Sequence, residues 1–122
     1  MNEPQKKLVM VVDDQPRVLK FIEIDLKVHG FEVITTTSGE EALKFTKSKK
    51  PDIILLDIIM PGMDGFEVLK ELRAFSKLPI IAFSASHGNH ADAIRLGANA
   101  FITKPFHPYE MVSRIRTLLK QS

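Results

Sequence analysis

Short apolar runs return at intervals along this chain, and stretches with helical periodicity separate them. Leu8–Val12 is the clearest such run, and Glu32–Thr36, Ile53–Leu56, Pro79–Phe83 and Ala100–Thr103 read as the further strands. Continuous apolar runs of this length mark strands buried on both faces, whereas a half-exposed strand alternates. Between the first two, residues 16–29 place Val18, Leu19, Ile22 and Leu26 on one stripe, with Gly30 as a stop. Residues 39–48 form a short helix burying Ala42, Leu43 and Phe45. Lys47, Lys49 and Lys50 sit near its end, where cations suit the helix dipole, and Pro51 breaks it. A turn over residues 60–65 leads to a helix with Phe66, Leu69 and Leu72 inward and Asp64 as its cap. Residues 91–96 form a brief helix closed by Gly97. Residues 108–120 form the last helix, with Met111, Val112, Ile115 and Leu119 inward. Five such βα units with short loops dictate an α/β fold, a parallel sheet covered by helices on both faces.

Composition removes the competing classes. At 122 residues the chain can build one core that buries roughly two thirds of its unfolded surface. It has no cysteine, which excludes disulfide scaffolds and thiolate metal sites. Its apolar runs fall far short of the ~20 residues of a membrane span. A net charge of +2 gives no argument for nucleic acid. No internal boundary or repeat is visible. Residues 1–7 read as a loose segment and residues 8–122 as one domain.

The chemistry lies at the ends of the strands. In an open α/β sheet, ligands sit beyond the strands' carboxyl ends. Here the first strand ends in Asp13-Asp14, the third in Asp57, the fourth in Ser84 and the fifth in Lys104-Pro105. Each alone has a structural explanation, and an acidic pair before a helix is often only a cap. Together they describe a crevice. Three carboxylates converging there repel unless a cation is present, and a hard divalent ion with oxygen ligands, Mg²⁺ first, is the natural one. Carboxylate, metal, ammonium and hydroxyl together suit phosphoryl transfer. His87 and His90 have a spacing a metal could use, but nothing clusters with them, so they read as a solvated loop.

Four segments carry a family resemblance: Val11-Val12-Asp13-Asp14, the stretch from Leu55-Leu56-Asp57 to Met63-Asp64-Gly65, Phe83-Ser84-Ala85, and Thr103-Lys104-Pro105-Phe106. The chain resembles the receiver domain of two-component response regulators over nearly its whole length. The resemblance implies a flavodoxin-like, doubly wound five-stranded parallel sheet of order 2-1-3-4-5 with five helices. It implies Asp57 as phosphoacceptor, and Asp13, Asp14, Asp57 and the backbone carbonyl of Ile59 as the Mg²⁺ set. Asp14 would bind directly and Asp13 mainly through water. It implies Ser84 and Lys104 as phosphoryl-binding groups, Phe101 as the aromatic switch residue, and a cis Lys104–Pro105 bond. The phosphodonor would be a histidine kinase or a histidine phosphotransfer protein. The domain would be cytoplasmic, would bind neither nucleic acid nor membrane, and would perform no catalysis beyond its own phosphorylation and dephosphorylation.

Three departures touch the output face. The segment from Ser84 to Gly97 is about half a helical turn short. Asn99 and Ala100 stand where receivers often carry two acids, and Phe101 replaces the commoner tyrosine. Without those acids, Arg114 and Arg116 would face each other across a two-fold axis uncompensated, so a monomer is expected. A phosphorylation-independent module of the same fold is the alternative, and would be favoured were Asp57 or Lys104 missing. A flavin-binding flavodoxin needs a phosphate loop after the first strand, where Asp13-Asp14-Gln15-Pro16 would repel phosphate. An aspartyl phosphatase would place its nucleophile after the first strand and carry a cap domain, and none is visible.

Overall fold

Four of the five sheet strands are hidden on both faces along most of their length, which forces helices onto either side. The computed structural model describes residues 6–60 and 63–120. Strand β1 (Leu8–Val12) leads into helix α1 (Pro16–Val28). Then come β2 (Glu32–Thr36), α2 (Gly39–Lys49), β3 (Ile53–Asp57), α3 (Gly65–Phe75), β4 (Ile80–Ser84), α4 (His90–Arg95), β5 (Ala100–Thr103) and α5 (Pro108–Leu119). The five strands form one parallel sheet in the order β2-β1-β3-β4-β5. Among the described residues no helix is long and apolar enough to cross a membrane.

Strand alternation divides the core in two. Val9, Val11, Leu55 and Phe83 face α1 and α5, where they meet Leu19, Ile22, Leu26, Met111, Val112 and Ile115. Met10, Val12, Ile54 and Leu56 face the other way, against Ala42, Val68, Leu69, Leu72 and Ala93. Because both faces are occupied, a one-residue slip in register would exchange the two sets everywhere.

The differences from the sequence reading are local. β4 starts at Ile80, because Pro79 has no N–H for the ladder, and it extends to include Ser84. Helix α4 starts at His90 after a 3₁₀ turn over His87–Asn89. Within the expected turn, Ile59–Met60 pairs antiparallel with Met63–Asp64 as a two-residue ribbon; Pro61 and Gly62 lie outside the described residues. Leu43 and Phe45 are only half-buried, while Thr46 is buried because its hydroxyl donates to the Ala42 carbonyl at 2.8 Å. Asp64 caps α3 as expected, its Oδ1 accepting from the Phe66 N–H at 2.9 Å. Of the segment read as loose, residues 1–5 lie outside the described residues, and the Lys7 carbonyl accepts from the Glu32 N–H at 3.0 Å.

One close approach sets the floor of the strand-end crevice. The Gly65 N–H donates to the Ile58 carbonyl at 3.0 Å, which brings α3 against the residue following Asp57. A Cβ on Gly65 would meet the Ile58 backbone and the Asp57 carbonyl, the latter at 2.6 Å. Backbone cannot yield as a flexible side chain can. Gly65→Ala should therefore cost about 2–3 kcal/mol in a urea melt, and a loss below half a kcal/mol would show that α3 can back away.

Candidate functional site

The carboxyl ends of β1 and β3 are neighbours in the sheet and that of β5 lies one strand further on, beyond β4, yet the residues that follow all three reach one crevice. Asp57 closes β3 and is 2% exposed; Asp13 follows β1 and is fully buried. Asp14, the next residue, is half-buried. One carboxylate oxygen from each of the three lies within 4.8 Å of the others, the one such group among the described residues. Lys104, beyond β5, reaches back to them. Its ammonium donates to Asp13 Oδ2 at 2.9 Å and to Asp57 Oδ2 at 3.0 Å, and lies 4.9 Å from the Phe83 ring centroid. The Lys104–Pro105 peptide is cis.

Backbone donors fix the other carboxylate oxygens. The Gln15 N–H donates to Asp13 Oδ1 at 2.8 Å, and the Ile59 N–H to Asp57 Oδ1 at 3.1 Å. Helix α1 is capped by Gln15 without a side-chain bond, so the acidic pair is not spent as its N-cap. Asp14 makes no hydrogen bond to another described residue. It lines a cavity of about 380 Å³ with Gln15, Asp57, Ile59, Ala85, Ser86 and Lys104.

Burial dominates the electrostatics of Asp57. It pushes the carboxyl up to about 6, against the Lys104 ammonium and the Ile59 N–H, which pull it down. For Lys104, burial works toward a lower pKa, but the bonds to Asp13 and Asp57 outweigh it and hold the ammonium above its ordinary value. Three carboxylates thus face one ammonium. The surplus negative charge and the all-oxygen donor set make the cluster able to hold a metal ion.

The structure brings Asp14, Asp57, Ile59 and Lys104 around one cavity, with Asp13 buried beneath it and bonded to Lys104. It sets Ser84 and Phe101 apart from it. Ser84 is fully buried and does not line the cavity; its Oγ accepts from the Ser86 N–H at 3.1 Å and from Asn89 Nδ2 at 2.9 Å. Phe101 is 8% exposed in the core beside Ala93 and Ala82, with the His90 ring stacked on it at 5.1 Å and 9°. Neither Asn89 nor His90 is marked as a site residue by the sequence. An asparagine just before a helix reads as a cap, and no spacing rule reports a stack between residues eleven apart. His90 is thus in contact with an aromatic ring rather than free in a solvated loop; the His87 side chain lies outside the described residues.

Comparison with known proteins extends this geometry. The family model of the response regulator receiver domain matches residues 9–116. The probable transcriptional regulator ycf27 of Cyanophora paradoxa is 42% identical over 98% of this chain and 51% of its own length. The alkaline phosphatase synthesis transcriptional regulatory protein PhoP of Bacillus subtilis is 38% identical over 95% of this chain and 50% of its own. The chain therefore spans about half the length of these relatives. The BeF3-activated N-terminal receiver domain of RstA from Klebsiella pneumoniae superposes with a TM-score of 0.88. It is 32% identical, with 94% of this chain and all of that one covered.

The raised Asp57 pKa has a consequence for stability. A carboxyl whose folded pKa lies above its unfolded value binds more protons when folded, so its ionisation destabilises the fold as pH rises from about 4 through 6. Asp57→Asn removes that cost. In cation-free buffer it should stabilise the chain by about 1–3 kcal/mol at pH 7.5, and the gain should shrink toward zero near pH 4. Paired urea melts across that range check this; a pH-independent difference would mean that Lys104, not burial, governs the carboxyl.

Proposed function

The chain belongs to the response regulator receiver family of two-component signalling, and from that premise we propose that Asp57 accepts a phosphoryl group from a phosphohistidine on a partner kinase or phosphotransfer protein. The observation that carries the reading is the Lys104 ammonium shared between Asp13 and Asp57 at the mouth of a three-carboxylate cavity. It keeps Asp57 ionised at neutral pH despite its burial, as a nucleophile must be. An Asp57 carboxylate oxygen attacks phosphorus, the P–N bond to the donor imidazole breaks, and that ring takes up one proton. The product is an acyl phosphate, which water cleaves back to the carboxylate and phosphate. Lys104 is placed to meet the new negative charge, and Ser84 supplies a hydroxyl to a phosphoryl oxygen once it turns toward the cavity.

The donor set fits Mg²⁺, held by Asp14, Asp57 and the Ile59 carbonyl, with Asp13 acting through water. When bound, Mg²⁺ supplies positive charge against the phosphoryl oxygens. Asp14 supports the direct role given to it: it faces the cavity with no hydrogen-bond partner among the described residues, whereas Asp13 is engaged by Lys104 and Gln15, as Asp57 is by Lys104 and Ile59.

We place the output on the face of α4, β5 and α5, toward a protein partner, and take the chain to be cytoplasmic and to bind no nucleic acid itself. We also propose that the domain is monomeric. Asn99 Oδ1 accepts from the Ile80 N–H at 2.9 Å and from Arg73 Nη2 at 2.8 Å, and Ala100 is buried, so neither position offers an acid to the exposed Arg114 and Arg116 of a second copy. Light scattering after phosphorylation should give the monomer mass at micromolar concentration; a dimer lost on Arg116→Glu would refute this.

A small phosphodonor with Mg²⁺ should add one phosphoryl group to the chain, and none to Asp57→Asn. Equal labelling of that variant would remove Asp57 from the role. In the same assay, Asp14→Ala should raise the Mg²⁺ concentration for half-maximal labelling more than Asp13→Ala does. The reverse order would exchange their roles.

A further inference from the structure

Ser84 and Phe101 lie on different strands and touch different neighbours, yet two consecutive residues hold both. Asn89 occupies the position before helix α4, where an asparagine ordinarily accepts from the helix's first N–H groups. Its side chain makes no capping bond there. The amide instead donates to Ser84 Oγ at 2.9 Å. The Asn89 N–H is tied to the same strand end, donating to the Ser86 carbonyl at 3.3 Å. His90 follows immediately, and its ring lies flat on Phe101, between that side chain and solvent. Phe101 is 8% exposed and His90 exposed, so the imidazole acts as a cover.

A hydroxyl has two lone pairs and one proton. Both acceptor positions of Ser84 Oγ are taken, one by the Ser86 N–H and one by Asn89. Ser84 is fully buried and its Oγ is held by the Ser86 N–H and the Asn89 amide, so a hydroxyl drawn toward a group on Asp57 gives up the Asn89 amide. Asn89 and His90 share one peptide link at the start of a six-residue helix. Releasing the first therefore frees the second to leave Phe101.

We propose that Asn89 and His90 form a latch that couples Ser84 to Phe101, and that a phosphoryl group on Asp57 opens it by claiming the Ser84 hydroxyl. The proposal deepens the phosphoacceptor reading and rests on it. Asn89 is a positioning residue: it acts on the site through Ser84 alone. Its loss should favour the open arrangement by about two- to tenfold, the factor carried by one neutral hydrogen bond.

Two measurements test the latch, and they separate its failure from that of the phosphoacceptor reading. The first needs no phosphoryl group. In proton NMR of the wild-type chain, the His90 ring signals, assigned by their loss in His90→Gln, should be displaced by the Phe101 ring current. In both Asn89→Ala and Ser84→Ala they should move toward their values in the unfolded chain. Signals unchanged in either variant overturn the latch, whatever happens at Asp57. The second uses beryllofluoride with Mg²⁺ as the probe. Asn89→Ala should bind it about two- to tenfold more tightly than wild type, while in a Ser84→Ala background the same substitution should change nothing. An equal gain in both backgrounds makes Asn89 a general stabiliser and overturns the latch. A wild-type chain that takes up no beryllofluoride overturns the phosphoacceptor reading, and the latch with it.

Discussion

The Lys104 ammonium is the point on which the site depends. It leaves the end of β5, crosses the mouth of the sheet and divides its bonds between Asp13 beyond β1 and Asp57 on β3. Two carboxylates buried this deeply would not both stay ionised without it, since removing one partner from a buried charge cluster leaves the rest uncompensated. The bond count also explains why the cluster does not close on itself. Three carboxylates meet one ammonium, and Asp14 is left facing the cavity. The fold thus holds a shortage of positive charge at one edge of the sheet, in a cluster able to hold a metal ion.

That edge exists because the rest of the sheet is so thoroughly covered. β1, β3 and β4 are apolar and nearly free of solvent up to their last residues, which leaves polar side chains to the strand ends and beyond. Parallel pairing puts all of those ends on one side. The registers Val12 to Leu56 and Ser84 to Thr103 bring the following residues level with one another, so the site follows from strand pairing rather than from loop conformation. The cation–π contact of Lys104 over Phe83 joins the site to the core beneath it.

What the sequence made legible follows from the same physics. Apolar runs of five are short enough to be strands and too long to be surface, so the βα alternation and the order of elements could be read directly. Asp13, Asp14, Asp57 and Lys104 stood out because a charged residue directly after a buried run has only the strand end to occupy. The ribbon of Ile59–Met60 with Met63–Asp64 was not legible, because two residues per strand carry no period. The half-burial of Leu43 and Phe45 was not legible either, since α2 lies toward the edge formed by β2 and covers less of the sheet than its apolar count suggests. Contacts such as Asn89 to Ser84 and His90 to Phe101 depend on how a shortened segment turns, and no pattern of residue types encodes that. The roles of Asp57, Ile59, Ser84 and Phe101 came from family resemblance rather than from spacing.

The face proposed for output differs from the receiver pattern that the resemblance implies, and the core accommodates the difference. Where an acid could stand before β5, Asn99 uses its amide oxygen twice, for the Ile80 N–H and for Arg73. Arg73 places its remaining donors on the carbonyls of Gly97, Ser76 and Leu78. All of these acceptors are neutral: Arg73 makes no ion pair among the described residues, and burial holds its pKa below the ordinary value. A carboxylate at position 99 would form a charge-assisted bond with Arg73, about twice as strong as a neutral one. The chain forgoes that gain. Position 99 thus offers no carboxylate to a second molecule, and Gly97, with φ of +114°, lets the loop fold back close against Arg73. The ring that lies against Phe101 is the His90 imidazole. In the latch proposed above, a change at Asp57 reaches Phe101 through packing and hydrogen bonds, Ser84 to Asn89 and His90 to Phe101, rather than through a chain of charged groups.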